Sequence, residues 1–159
     1  MRRALLVIFL VLWFAANAKA QEVYNLVLNN TARILNSPTS NFTQTQIAQF
    51  KRTTLIYMKE KVFAETDTIP SAFLDTQAYF LSEFVTLFCD DIIRCKRLNE
   101  NRRKERIVVF MDASVSNPLF KDDDTDYTMS YINNGKELTP FCINTNWQKA
   151  YAAVKSQLH

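Results

Sequence analysis

Glycine is nearly absent from the 159-residue sequence, which contains one glycine and four prolines. Folds rich in β-strands need many tight turns, and tight turns depend on glycine and proline. Phosphate-cradling loops of the P-loop or dinucleotide-binding kind need several glycines close together. The scarcity of glycine therefore excludes such phosphate loops and indicates a helical chain.

Histidine is also scarce, because the single histidine is His159, the last residue. Chain ends are poorly ordered unless they are tied down, so this side chain is badly placed for catalysis. The sequence consequently has no Ser/His/Asp or Cys/His constellation and no cluster with zinc-ligand spacing. We expect no metal site and no cofactor.

One long apolar run is present, at residues 4–16, and it is too short to cross a membrane core about 30 Å thick as a helix. Two arginines precede it, and Ala18-Lys19-Ala20 follows with the small-x-small pattern of a signal-peptidase site. The pattern predicts a cleavable signal peptide at residues 1–20 and a single domain at residues 21–159. A short membrane anchor or a buried N-terminal helix is the alternative.

Net charge is absent once that peptide is removed. The peptide holds three of the 19 basic residues and none of the 16 acidic ones, so the mature chain has 16 of each. A chain without net charge has no global field that would attract nucleic acid. We therefore expect no nucleic-acid partner. From the signal-peptide pattern we expect no membrane span after cleavage and a periplasmic or secreted location.

The apolar residues recur at intervals of three and four, which is the pattern of helices. We predict an all-α fold, an irregular bundle of about six helices around a long central helix at 71–99. That helix is apolar around most of its circumference, which is typical of a helix at the centre of a domain. The six predicted helices span about 22–35, 43–64, 71–99, 101–114, 122–133, and 147 to near the C-terminus. The sequence does not determine their topology.

The three cysteines are Cys89, Cys95 and Cys142. Six helical residues separate the first two by about 9 Å along the axis, beyond the reach of a disulfide. Cys142 could pair with either of them, or all three could be buried thiols. The sequence leaves this choice open, and no histidine is present to activate a nucleophilic cysteine.

An acidic run at residues 122–126 places aspartates at the first, third and fifth positions of a calcium loop. Tyr127 and Asn133 stand where such a loop needs glycine and glutamate. Acidic side chains are also favourable in the first turn of a helix. The run therefore predicts a helix N-terminus rather than a calcium site.

Three carboxylates on the predicted central helix are the candidates for acid–base chemistry: Glu83, Asp90 and Asp91. Asp91 lies beside the apolar stripe, where a carboxylate needs a partner. A basic residue such as Arg52 would supply one, and a pocket that raises the pKa is the alternative. A hydrolase-like enzyme would require two such groups converging in a concave pocket. We assign no catalytic residue on this basis.

Aromatic residues make up 13% of the chain, more than a small core strictly needs. The candidates for a partner-facing surface are Phe73, Tyr79, Tyr127, Tyr131 and Trp147, each of which could instead belong to the core. We expect a non-catalytic binding or protein-interaction module of the cell envelope with a protein partner. A carboxylate-dependent hydrolase-like enzyme or a small-ligand carrier is the alternative, and the partner, ligand and oligomeric state stay open.

Three segments carry a resemblance to a known family. They are Asn117-Pro118-Leu119-Phe120, the stretch Phe141-x-x-Asn144-Thr145-Asn146-Trp147-x-Lys149-Ala150, and Leu74-Asp75-Thr76-Gln77-Ala78-Tyr79. Together they resemble small exported helical proteins of unknown function from Gram-negative bacteria. The resemblance implies an envelope or secreted location and supplies no activity, cofactor or catalytic residue.

Overall fold

A computed structural model describes residues 22–65, 71–95, 99–121, 127–131 and 138–158. Within these ranges the chain forms five α-helices, one π-helical segment and a two-stranded antiparallel sheet. The elements are α1 (Glu22–Leu35), α2 (Phe42–Glu65), α3 (Ser71–Phe88), the π segment (Cys89–Ile93), α4 (Glu100–Val115), β1 (Tyr127–Tyr131), β2 (Leu138–Cys142) and α5 (Trp147–Leu158). The predicted signal peptide at 1–20 lies outside the described residues.

The structure is mostly helical, which confirms the all-α prediction at that level. Among the helices that the structure describes, none has the combination of length and apolarity that crossing a bilayer requires. The domain boundaries and the number of six helices are not confirmed by these elements.

The predicted helix at 122–133 is wrong, because its described residues, 127–131, form strand β1. The sequence of β1 alternates large residues, Tyr127, Met129 and Tyr131, with small polar ones, a pattern that suits a pleated strand. It pairs with β2 in antiparallel register, from Tyr127 opposite Cys142 to Tyr131 opposite Leu138. The acidic run that indicated a helix start lies outside the described residues.

The predicted helix at 71–99 is also too long. Regular α-helix ends at Phe88, and the backbone continues as a π-helical segment to Ile93, where Arg94 N–H donates to the carbonyl of Cys89 at 2.9 Å. Asn99 has extended backbone and begins the next helix, since its side chain accepts the Arg102 N–H at 2.9 Å. The side chain of Asn99 therefore acts as the N-cap of α4.

Aromatic rings form the centre of the core. The Phe84 ring lies 5.3 Å from that of Trp147, 5.4 Å from that of Phe110 and 5.5 Å from that of Phe141, in edge-to-face orientations. All four residues are essentially inaccessible to solvent. Such pairs contribute about 0.5–1.5 kcal/mol beyond the burial of their area. Rings from α3, α4, β2 and α5 thus hold these four elements together.

Two polar side chains of α3 cap other helices. Tyr24 N–H in the first turn of α1 donates to Asp75 Oδ1 at 2.8 Å. Trp147 N–H at the start of α5 donates to Gln77 Oε1, also at 2.8 Å. The first turn of a helix has N–H groups without partners inside the helix, and these side chains supply partners for them. Helix α3 therefore contributes to capping the N-termini of α1 and α5.

A second polar network joins the segment after α4 to the segment before α5. Phe120 N–H donates to Asn144 Oδ1 at 2.9 Å, and Asn144 Nδ2 donates to the Phe120 carbonyl at 3.1 Å. The buried Ser114 hydroxyl accepts the Cys142 N–H at 3.0 Å and contacts the Thr145 hydroxyl at 2.8 Å. Buried backbone groups need such partners. Within the three segments that carry the family resemblance, this network and the two helix caps give Asp75, Gln77, Phe120 and 144–147 structural roles.

Candidate binding site

A cleft of about 510 Å³ lies between α1, α2 and α3. This volume falls within the range of ligand pockets, about 300–1,000 Å³. The residues that line it are Leu26, Val27, Asn29, Asn30, Thr31, Arg33 and Ile34 from α1, Ile47, Ala48 and Lys51 from α2, and Ser82 from α3. The lining combines apolar walls with neutral polar groups and two basic side chains, and it includes no acidic residue among those described.

Helical periodicity explains why α1 contributes most of the lining. Residues three and four positions apart share a face, so Val27, Thr31 and Ile34 follow one another along α1. Thr31 is buried and its hydroxyl donates to the Leu28 carbonyl at 2.7 Å, which satisfies this polar group within the helix. Leu26 lies at the rim of the cleft with 70% of its surface exposed.

Lys51 is the most distinctive group in the cleft. Its residue is only partly exposed, and its ammonium makes no hydrogen bond or ion pair with any residue that the structure describes. Loss of hydration on burial lowers the pKa of Lys51 below its ordinary value of 10.5, and the nearby Cys89 and Glu83 oppose part of this effect. The cleft therefore contains a poorly hydrated cation that lacks an anionic contact.

Cys89 lies close to Lys51, in the first position of the π segment. Burial raises the pKa of the Cys89 thiol, and the opposing effects of Lys51 and Arg94 are smaller. The thiol is therefore protonated at neutral pH and carries no charge that could balance Lys51. No disulfide is formed among the described residues, so neither of the pairings considered for Cys142 is present in this structure.

Arg33 is the second basic residue of the lining and lies on the exposed side of α1. Its guanidinium donates to Asn30 Oδ1 at 3.2 Å, a contact within one turn of the same helix. An arginine with a single neutral partner retains several N–H donors. The two charged side chains of the described lining are thus both positive.

The three candidate carboxylates do not converge in this cleft. Asp90 forms an exposed ion pair with Arg94 one turn away. Asp91 pairs with Arg106 of α4, which confirms that it needed a basic partner but corrects the expectation of Arg52. Glu83 is partly buried and acts on Lys51 through its charge, without lining the cleft itself. No two of them share a pocket in the described part of the chain.

The aromatic candidates are separated as well. Trp147 is fully buried in the core, so it does not face a partner. Phe73 is half-buried and packs against the core, whereas Tyr79 is 49% exposed and contacts the Phe80 ring edge-to-face at 5.2 Å. Tyr127 and Tyr131 lie at the ends of β1, and their side chains are outside the described structure.

Sequence reasoning missed the cleft, although one local signal was available. Lys51 follows the apolar Phe50 directly and lies one turn after Ile47, so it stands at the edge of the apolar stripe of α2. A lysine in that position is partly withdrawn from water, and this withdrawal lowers its pKa. The pattern would have indicated Lys51 as a candidate but not the helices that face it.

Within the residues that the structure describes, no group of three or more His, Cys, Asp or Glu side chains is arranged to hold a metal ion. No protein-family model, curated protein or solved structure matches the chain. The resemblance to exported proteins of Gram-negative bacteria therefore stays a prediction, and the function rests on the geometry of the cleft.

Proposed function

We propose that the chain is an exported, non-catalytic binding domain of the cell envelope that holds a small ligand in the cleft between α1, α2 and α3. The observation that carries this proposal is the cleft itself, about 510 Å³ with apolar walls and two basic side chains. Ligand sites are commonly apolar concavities with a few polar groups that fix orientation. Export is supported by the signal-peptide pattern at 1–20 and by the family resemblance.

The carboxylate-dependent hydrolase is less well supported. Such an enzyme needs an acid and a base within reach of one substrate. Asp90 and Asp91 are each engaged by a different arginine, and Glu83 does not line the cleft. The cleft thus offers residues that can bind and orient a ligand, without a pair of groups that could exchange protons with it.

A protein partner was the first expectation from the sequence, and it depended on an aromatic surface. Burial of Trp147 removes the largest member of that set. A concave site with a charged interior suits a small molecule better than a flat partner surface.

We also propose α3 as the helix around which the bundle is organised, because it packs against α1, α2 and α5 and caps two of them.

Site-specific photo-cross-linking in the native envelope tests this function. A benzophenone amino acid replaces Leu26 at the rim of the cleft, and in a matched control it replaces Val108, an apolar residue of α4 that is 50% exposed. We expect a small-molecule adduct, detected by the mass of the purified protein, at position 26 and none at position 108.

Three results would contradict the proposal. Equal adducts at both positions would show non-specific capture, and an absence of adducts at position 26 would show that the cleft is empty in the envelope. A protein cross-linked at position 26 instead of a small molecule would replace the ligand carrier with a protein-interaction module.

A further inference from the structure

We propose that the ligand of the cleft is an amphiphilic anion, a molecule with one negatively charged head group on an aliphatic tail. The head group contacts Lys51 and Arg33, and the tail lies along Val27, Ile34 and Ile47. This inference rests on the proposed function, since it names the class of ligand that the same cleft would hold.

The charge of the lining selects an anion. Lys51 and Arg33 both line the cleft, whereas no acidic side chain is among the described lining residues. The mature chain as a whole would have equal numbers of acidic and basic residues, so this positive charge is local to the cleft. An anion in the cleft would gain two favourable contacts, and a cation would meet two repulsive ones.

The surroundings of Lys51 make its contact with an anion stronger than a surface ion pair. Exposed pairs contribute little because water screens both charges. Lys51 has already lost part of its hydration in the folded protein, as the lowered pKa indicates. Glu83 and Cys89 face it, but Glu83 makes no ion pair with it and the Cys89 thiol is protonated. A bound anion would therefore supply the charge contact that the fold does not.

The walls of the cleft select an aliphatic tail. Val27 and Ile34 of α1 line the cleft together with Ile47 and Ala48 of α2. Leu26 at the rim exposes 70% of its surface, and a tail leaving the cleft would cover part of it. Polar groups near the basic residues, including the hydroxyl of Ser82, can donate to an anionic head group. Charge and apolar surface thus lie in the same cavity.

Calorimetric titration of the protein purified from the envelope, after removal of bound lipid, tests the inference with three ligands of ten carbons each. These are decanoate, 1-decanol and decylamine, each used below the concentration at which it aggregates. We expect decanoate to bind about tenfold or more tightly than decanol, and decylamine to bind most weakly. Among carboxylates from octanoate to decanoate, each added methylene should raise the affinity about fourfold.

Substitution of the basic residues connects this preference to the cleft. Lys51→Met keeps the length of the side chain and should abolish the difference between decanoate and decanol. Arg33→Met should reduce that difference less, because Arg33 is exposed. Lys149→Met, an exposed lysine of α5, is the matched control and should leave it unchanged. Circular dichroism of each variant separates loss of binding from loss of fold.

The outcomes distinguish this inference from the function on which it rests. One outcome is that all three ligands bind equally and that Ser82→Phe in the cleft blocks binding whereas Ser156→Phe on α5 does not. This result would overturn the selectivity for anions and would retain the cleft as a binding site. If none of the three ligands binds but a small-molecule adduct forms at position 26, the inference of an anionic ligand is overturned and the proposed function is retained. Absence of both binding and adduct would overturn the inference and the proposed function together.

Discussion

Lys51 is a charged side chain that the fold withdraws from water without giving it an ion pair. Stability would favour an apolar residue at this position, because burial of a charge is unfavourable unless the charge is paired. Binding sites often retain such unfavourable groups, since the ligand completes their contacts. The same residue should therefore decrease the stability of the free protein and increase its affinity for the ligand.

Replacement of Lys51 by methionine should stabilise the ligand-free protein by about 1 kcal/mol at pH 7. Because the pKa of Lys51 is lowered in the fold, the unfolded chain binds this proton more tightly. The resulting penalty is complete below the folded-state pKa of Lys51 and is lost as the pH rises through the ordinary value of 10.5. Urea denaturation of both proteins at pH 7 and pH 10 should show a larger advantage of Lys51→Met at the lower pH.

The control for this prediction is Lys149→Met, which removes an exposed charge from α5 and should change the free energy of unfolding by less than about 0.5 kcal/mol. A Lys51→Met protein that is less stable than the wild type at pH 7 would show that the side chain stabilises the fold. Such a result would remove the energetic argument for an anion beside it.

Sequence reasoning succeeded at some residues and failed at others for a physical reason. That Asp91 needs a basic partner could be predicted, because it follows from its place beside an apolar stripe. The identity of that partner, Arg106 instead of Arg52, could not be predicted. The pair joins residues from two helices, and the relative placement of two helices is not a local property of the sequence. For Trp147 the choice between a partner-facing surface and the core stayed open for the same reason, because the contacts with Gln77 and the Phe84 ring that bury it come from another helix.

The helices were predictable as elements because their apolar spacing is a local signal. The element boundaries that were predicted wrongly depend on contacts or helix caps, which the spacing of apolar residues does not indicate. Strand β1 exists through its pairing with β2, and Asn99 begins a separate helix by capping α4. An asparagine directly before a helical pattern is a recognised start signal, so the break at Asn99 could have been inferred. The π-helical turn from Cys89 has no comparable signal in the sequence.

Capping of α1 by a residue of α3 gives a prediction for a whole element. Asp75→Ala removes both the acceptor of the Tyr24 N–H and a negative charge at the N-terminus of α1, and should destabilise the protein by about 1–2 kcal/mol. Asp75→Asn keeps an acceptor oxygen and should be milder. Hydrogen–deuterium exchange should increase mainly in the first turns of α1.

Asp112→Ala on the exposed face of α4 is the matched control, with an expected change below about 0.5 kcal/mol. If Asp75→Ala were no more destabilising than this control, the bond between α1 and α3 would contribute nothing measurable. Since α1 supplies most of the cleft lining, that bond also determines how firmly the cleft is held in shape.

For the molecule as a whole, the all-α class could be predicted and the cleft could not. Composition and periodicity report which segments are helical, but the cavity results from how three helices are placed around one another. No single segment contains that information. The local part of the site, a lysine beside an apolar stripe, was visible in the sequence, whereas the absence of an ion pair for it was not.

Trp147 reports on the integrity of the entire core. The sequence contains two tryptophans, and the other, Trp13, lies in the predicted signal peptide. In a processed protein, which mass spectrometry can verify, the fluorescence should come from Trp147 alone. Because this side chain is fully buried against Phe50 and Phe84, its emission should be blue-shifted and should move to longer wavelength in one cooperative step on unfolding. Red-shifted emission from the native protein would contradict the burial.

The position of α5 in the chain has a consequence for when the protein can fold. Its 12 residues follow the other described helices in the chain, yet they supply Trp147, Ala150 and Val154 to the core, and the Trp147 N–H donates to Gln77, 70 residues earlier. The ribosome must therefore have synthesised α5 before this core can close. A nascent chain that still lacks α5 cannot complete this core, and we expect it to remain in the loosely packed state that passage of a polypeptide across a membrane requires.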